Sequence, residues 1–515
     1  MASAVSGYAV IVCNVGYTIL SIPLALHYLT REQFGLWALV AQLTGYLALL
    51  DLGMSGSVSR LLIDHKDDRN GGTLGGLIKT AWCVCAIQAV IIFLTTLIFA
   101  LFGGGLMKIN PALQSEFSEI MLFQGALAGL GFCTRIFHQL LYANQRLDII
   151  NWTGAVQFAV ALATLWTGFA LGQGIFSMVL ATAAGFIFSL SCFAFFSLRL
   201  RLFPDSGHWG ASTLEQFMEM FKYGANMFLI SLGIQMVMSS QTVLITRSLG
   251  LDASAIWSVC TKAFTLCTMF VWKVFDVSAP MLSEMIVREE TETLKRRYAQ
   301  VVQTTLAITT LGAIALAVAN RAFVSVWTSG KISWDWWNDA LLGVWLLVIT
   351  YNHCHASLVI WTKDIRSLKY IYFVEGVVFI ASGYLASKMF GITGVLLASI
   401  VSGALFSGLY SVWRAGSILS LTQFDLGWKW FRRSAFMAAV VLPFGIVAVV
   451  VAPHVTPWTS LILASGALLF VGGFALLRIG LPPEVVVEML SRFPLPARKW
   501  LAWLTPNMRQ SGYRK

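Results

Sequence analysis

Fourteen apolar stretches follow one another along the chain, separated by short polar breaks. About 20 consecutive apolar residues are needed for a helix to cross a bilayer. Each stretch meets that length, so the pattern predicts membrane-spanning helices. The first six lie near 6–28, 34–62, 75–103, 117–142, 152–171 and 175–197. The next six lie near 218–247, 253–283, 300–326, 340–361, 369–388 and 393–413, and a further pair follows at 434–452 and 457–478. Two runs are too long for one crossing, and Gly172-Gln173-Gly174 and Gly391-Ile392-Thr393 supply the turns that divide them. The predicted fold class is an all-α polytopic membrane protein of about fourteen transmembrane helices.

Charge then orients the bundle. Of 35 lysines and arginines, 25 fall on alternate connections and in the C-terminal tail, and only six fall on the opposite set. Positive residues resist translocation, so the rich side is expected in the cytoplasm together with both termini. The expected organisation is two pseudo-symmetric six-helix lobes at 1–200 and 215–415, an additional helix pair at 430–480, and an amphipathic cytoplasmic tail at 481–515. The halves look related: Leu29-x-x-Glu32-x-x-x-x-Trp37 reappears as Leu249-x-x-Asp252-x-x-x-x-Trp257. Six spans per repeat give both halves one orientation, an arrangement found in transporters.

Composition removes several other classes. Hydrophobic residues make up 57% and charged residues 11%, far from soluble-globular usage. The net charge of +11 sits where topology demands it, beside anionic lipid headgroups, and does not point to nucleic acid. The eight cysteines all lie in apolar stretches and form no metal or disulfide pattern. No cofactor motif or Walker sequence appears, the connections are too short for a catalytic or nucleotide-binding domain, and the first stretch lacks a signal peptide's charged start. A polymerase, ligase or acyltransferase would need an acid, base or nucleophile set that the loops do not provide, so no enzyme is expected. A structural scaffold is disfavoured by lysines kept within a span.

Several segments resemble the polysaccharide-export branch of the multidrug/oligosaccharidyl-lipid/polysaccharide flippase superfamily. They are Tyr17-Thr18-Ile19-Leu20-Ser21-Ile22-Pro23, Arg31-Glu32-Gln33-Phe34-Gly35-Leu36-Trp37, Leu50-Asp51-Leu52-Gly53-Met54, Ala143-Asn144-Gln145-Arg146 and Ala279-Pro280-Met281-Leu282-Ser283-Glu284. The resemblance covers the first twelve spans. It implies a flippase for a polyprenyl-diphosphate-linked oligosaccharide, such as a lipopolysaccharide O-antigen or exopolysaccharide repeat unit. It further implies alternating access in the bacterial inner membrane, with membrane lipids, a polymerase and a chain-length regulator as partners. The alternative within the superfamily is a cation-coupled small-molecule or drug exporter. Drug-exporting relatives usually carry an acidic coupling residue in the first span, and lipid II flippases carry arginines there; this first span has neither.

Ionisable groups within spans are costly and are functional candidates by default. On the eighth span Lys262, Lys273 and Asp276 form one stripe about 21 Å long. Lys262 and Lys273 are candidate substrate cations, and a Lys273–Asp276 packing pair is the plainer reading. On the fourth span Gln124, Gly131, Arg135 and Tyr142 share a face, flanked by His138 and Gln139. Arg135 either snorkels to the interface or lines a cavity, where its guanidinium fork would hold a diphosphate. The second span aligns Gln42, Tyr46, Gly53, Gly56 and Arg60 on one face and Asp51 on the other. Substrate-binding candidates are therefore Lys262, Lys273, Arg135, Gln124 and Arg60. Asp276, Glu375 and Asp51 are ion-coupling candidates, with helix contact the plainer role for Asp51 and pairing with Lys369 for Glu375. His353 and His355 diverge by about 200° on a helix, which disfavours metal binding. Trp327, Trp334, Trp336 and Trp337 fit an interfacial belt, with sugar stacking the sharper alternative.

Overall fold

The computed structural model describes residues 2–51, 54–66, 68, 71–362 and 366–491. These residues form helices and connections, with no strand among them. Thirteen segments are long and apolar enough to cross a membrane, and one of them, Ser367–Leu419, is 53 residues long. That segment turns at Gly391, whose φ of 60° and ψ of −141° are non-helical, so it supplies two crossings. A left-handed φ suits a residue without Cβ. The expected count of about fourteen thus holds, and the protein is a multi-pass membrane protein. Large apolar side chains on the bundle exterior, such as Phe102, Leu171, Phe444 and Phe470, are exposed because lipid is their solvent.

The chain folds as two compact units, residues 1–258 with 383–392, and the remainder. Unit one contains α1 (Ala2–Tyr28), α2 (Arg31–Leu47), α3 (Met54–His65), α4 (Thr73–Leu106) and α5 (Gln114–Ala143). It continues with α6 (Leu147–Ala170), α7 (Phe176–Arg199), α8 (Leu214–Leu249) and most of α9 (Leu251–Cys260). Thr30 and Gln33 explain why α2 starts where it does. Thr30 Oγ1 accepts from the Gln33 N–H at 3.2 Å, and Gln33 Oε1 accepts from the Thr30 N–H at 3.2 Å. Two of the donors left over at a helix start are thereby satisfied reciprocally. The repeated motif brings its two copies together: Arg31 Nη1 lies 3.8 Å from Asp252 Oδ1, and Gly35 packs directly on the Leu251 carbonyl, leaving no room for a Cβ. One core of this unit joins Val58 and Leu62 of α3, Leu77 and Ile78 of α4, and Ile136 and Leu140 of α5.

Unit two contains α10 (Lys262–Asp276), α11 (Ala279–Val287), α12 (Thr291–Trp327) and α13 (Trp336–Trp361). Then come α14 (Arg366–Gly403), which lends one short stretch to unit one, α15 (Leu409–Leu419) and α16 (Trp430–Val451). Last are α17 (Pro457–Ala467), α18 (Gly473–Ala475) and α19 (Pro483–Ser491). α12 is the central post, packed by α10, α13, α16 and α17. The additional helix pair is fixed to it through Ile314, Met437, Val441 and Ala475.

One expectation needs correcting. The second span is not a single rod: α2 stops at Leu47, a tight 3-10 turn covers Ala48–Asp51, and α3 resumes at Met54. A constant 100° per residue does not carry across that break, so the two faces assigned to this span do not transfer. The tail beyond Ser491 and the Arg60 side chain lie outside the described residues.

Candidate functional site: a cavity beside a broken membrane helix

The break in the second span takes backbone carbonyls out of the helical ladder, and within a membrane such groups need a partner from the protein. Gln88 of α4 answers this: its Nε2 donates to the Leu50 carbonyl at 2.8 Å and to the Asp51 carbonyl at 3.2 Å. The same break turns the Asp51 side chain toward α5. Arg135 Nη1 donates to Asp51 Oδ1 at 2.5 Å, and the guanidinium carbon lies 4.0 Å from the centre of the Phe132 ring. Fractional side-chain exposures of 28% for Arg135 and 20% for Asp51 place the pair inside the unit. Arg135 therefore does not snorkel outward; it lines a cavity.

That cavity has a volume of about 790 Å³. Arg135, His138, Gln139 and Tyr142 of α5 line one wall, Ser59 and Ile63 of α3 another, and Phe186, Ser189 and Phe193 of α7 the third. His138 meets Phe193 edge-on at 5.4 Å. Gln124, expected on the same face, is instead buried further along α5; its Nε2 has no hydrogen-bond partner, and it is not part of the lining.

In unit two the eighth span is also discontinuous, with a turn at Thr261 between α9 and α10. Asn320 of α12 donates through Nδ2 to the Cys260 carbonyl at 3.0 Å and to Asp339 Oδ1 at 2.6 Å. Lys262 begins α10 and is half-buried, whereas Lys273 is exposed, and neither has an ion pair among the described residues. Asp276 corrects a second expectation. Its partner is not Lys273 but His353 of α13, whose Nε2 lies 2.9 Å from Asp276 Oδ1. The imidazole is held flat against Trp272, ring centres 4.2 Å apart.

His355 points elsewhere, its Nδ1 3.0 Å from the Tyr298 hydroxyl in a closed aromatic core, so the two imidazoles do diverge. Glu375 is fully enclosed, and Oε2 accepts from the Ser407 backbone N–H at 3.0 Å. A π-turn at Ala404–Gly408 makes that N–H available, and Asn352 Nδ2 meets the Gly403 carbonyl at 2.7 Å. This is the found partner of Glu375, in place of the expected Lys369. Gln88, Asn320, Asn352 and His353 were not singled out as site residues from the sequence. Gln88, Asn320 and Asn352 each place an amide against backbone where a neighbouring span is interrupted, a signal that apolar periodicity does not carry.

Solved structures share this fold of membrane-spanning helices. One is an inward-facing multidrug resistance MATE family transporter of the MOP superfamily, with TM-score 0.68 and 13% identity, covering 78% of this chain and 95% of that one. Another is the lipid II flippase MurJ in an inward closed conformation, with TM-score 0.61 and 13% identity over 92% of this chain and 98% of that one. A MOP superfamily transporter from Pyrococcus furiosus has TM-score 0.57 and 13% identity, covering 82% and 96%. At such identities the likeness establishes the fold. No curated protein sequence matches the chain. Residues 5–286 match the family described as polysaccharide biosynthesis protein, and the chain belongs to that family.

Proposed function

We propose that the protein is a flippase of the bacterial inner membrane that carries a polyprenyl-diphosphate-linked oligosaccharide, an O-antigen or exopolysaccharide repeat unit, by alternating access. The observation that carries this reading is Arg135, held by Asp51 at the wall of a cavity within the family-matching region. A guanidinium offers five N–H donors in a planar fork, which matches a phosphate better than an ammonium does. A diphosphate entering the cavity would take over the contact that Asp51 makes, and Phe186 and Phe193 would pack against sugar faces. The volume lies within the ~300–1,000 Å³ of small-molecule sites, enough for the diphosphate and its first sugars. The polyprenyl tail stays in lipid.

Lys262 and Lys273 are further candidate substrate cations, in unit two, and Arg60 is a secondary candidate; Gln124, buried away from the lining, is the weakest of the set. Asp276, Glu375 and Asp51 are the carboxylates available for ion coupling. The concentration of basic residues on alternate connections supports cytoplasmic termini. A polymerase and a chain-length regulator are the expected assembly partners. The first span's lack of any carboxylate supports this reading over drug export.

The test is leaflet-specific detection of the lipid-linked precursor in cells with and without the gene. Loss of the gene should remove a surface glycan and leave the precursor facing the cytoplasm. Unchanged precursor distribution, with proton-dependent efflux of a cationic dye, would favour the exporter instead.

A further inference from the structure

We propose that a second, smaller cavity in unit two binds the phosphoethanolamine headgroup of a membrane phospholipid. The cavity measures about 240 Å³ and lies where α12 ends, α13 begins and the additional pair α16 and α17 turns. Arg321, Ser325, Trp336, Asp339, Val449 and Ser460 are among its lining residues. Its volume is below the ~300–1,000 Å³ typical of drug-sized sites, so it suits a headgroup rather than a glycan.

The two charged residues define the ligand. Asp339 is 1% exposed. Its Oδ1 accepts from Asn320 Nδ2 at 2.6 Å and from Trp334 Nε1 at 2.9 Å, but its Oδ2 has no hydrogen-bond partner. A buried carboxylate oxygen without a donor is strongly unfavourable, so the site lacks one donor. Arg321 lines the same cavity, yet no ion pair joins it to Asp339 among the described residues. An anion and a cation that share a cavity without meeting are complementary to a zwitterion. A primary ammonium brings three donors to Asp339, and the adjoining phosphate takes the guanidinium fork. A choline headgroup carries no N–H to donate, and a phosphoglycerol headgroup carries no cation.

Depth argues for a lipid as the source. Trp336 and Trp337 are about half exposed and Trp458 is 64% exposed, all at this end of unit two. Such indoles mark the headgroup level, and the apolar residues Val318 and Val449 continue the wall toward the bundle. The inference does not depend on what the protein transports.

Native mass spectrometry of the purified full chain tests it, titrated with phosphatidylethanolamine, phosphatidylcholine and phosphatidylglycerol of matched acyl chains. Phosphatidylethanolamine should be retained at least about tenfold better than the other two, as expected for a charge-assisted contact that only it can make. Asp339→Asn and Arg321→Gln should each abolish the preference. Ala452→Phe, which fills the cavity without touching either charge, should do the same and keeps the test open if a charge variant misfolds. Equal retention of the three lipids, or a preference that survives these substitutions, overturns the proposal. Soluble phosphoethanolamine competing as well as the lipid overturns the assignment to a lipid.

Discussion

Arg135 on α5 and Asp51 at the break of the second span meet through a 2.5 Å Nη1–Oδ1 contact, although 84 residues separate them. The contact neutralises two charges that the membrane interior would otherwise expel, and it fixes the broken end of one span against the wall of another. It also sets the cationic face of the cavity. A substrate phosphate and the Asp51 carboxylate compete for the same guanidinium, so binding and the geometry of the break are linked.

Removing one partner should therefore do more than weaken a contact. Asp51→Asn leaves Arg135 without its acid, a change that costs about 3–5 kcal/mol for fully buried pairs and less here because both groups are partly exposed. The exchanged pair, Asp51→Arg with Arg135→Asp, restores neutrality but moves the cation off the cavity wall. Thermal unfolding should recover in the exchanged protein while glycan export does not. Recovery of both would reduce the pair to a packing element.

Gln88 offers a cleaner stability test, because its amide contacts the backbone at the break. Gln88→Ala withdraws donors from the Leu50 and Asp51 carbonyls, and an unsatisfied buried acceptor costs about 1–3 kcal/mol. Asn320→Ala should have a comparable effect in unit two by exposing the Cys260 carbonyl. Unfolding of each variant in detergent should fall below that of the parent. An unchanged midpoint would mean that water reaches the breaks.

The spans were legible because bilayer thickness imposes a length on every apolar run, and Gly391 marked the turn that splits the longest one. The second-span break was not legible. Leu50-Asp51-Leu52-Gly53 contains no proline, and apolar periodicity alone reads straight through it. Side-chain facing fails across any unseen break, so the helix contact expected of Asp51 could not be assigned to Arg135 in advance. Asp276 was misread for another reason: local spacing favours Lys273, three residues away, over His353, 77 residues away on α13. The four tryptophans near α13 separate by contact. Trp327 is packed on Phe323 and Trp334 is bound to Asp339, leaving Trp336 and Trp337 for the interface. Asp339 itself lies one residue outside the expected span, which begins near 340, and within α13.

Orientation is tested by single cysteines in a background cleared of the eight native ones. Ser333 and His454 are exposed on connections of the cation-poor side, and Glu292 and Gln423 are exposed on the opposite side. Positive-inside topology predicts that an impermeant maleimide labels Ser333→Cys and His454→Cys in intact cells. Glu292→Cys and Gln423→Cys should label only after permeabilisation. External labelling at Glu292→Cys would invert the assigned topology.

The eighth-span lysines give the last prediction. With Asp276 engaged by His353, neither Lys262 nor Lys273 is neutralised by an ion pair among the described residues. Keeping an ammonium within a span is costly, so these positions are expected to meet an anion during the transport cycle. Lys262→Gln and Lys273→Gln should each reduce glycan export while surface abundance stays normal, and the double variant should reduce it further. Asp276→Asn is the control that separates helix packing from substrate contact. It removes the charge from the His353 contact and should lower the unfolding midpoint, whereas the lysine variants should leave that midpoint unchanged. Near-normal export by the double lysine variant would remove the two lysines from substrate binding and leave Arg135 as the candidate cation.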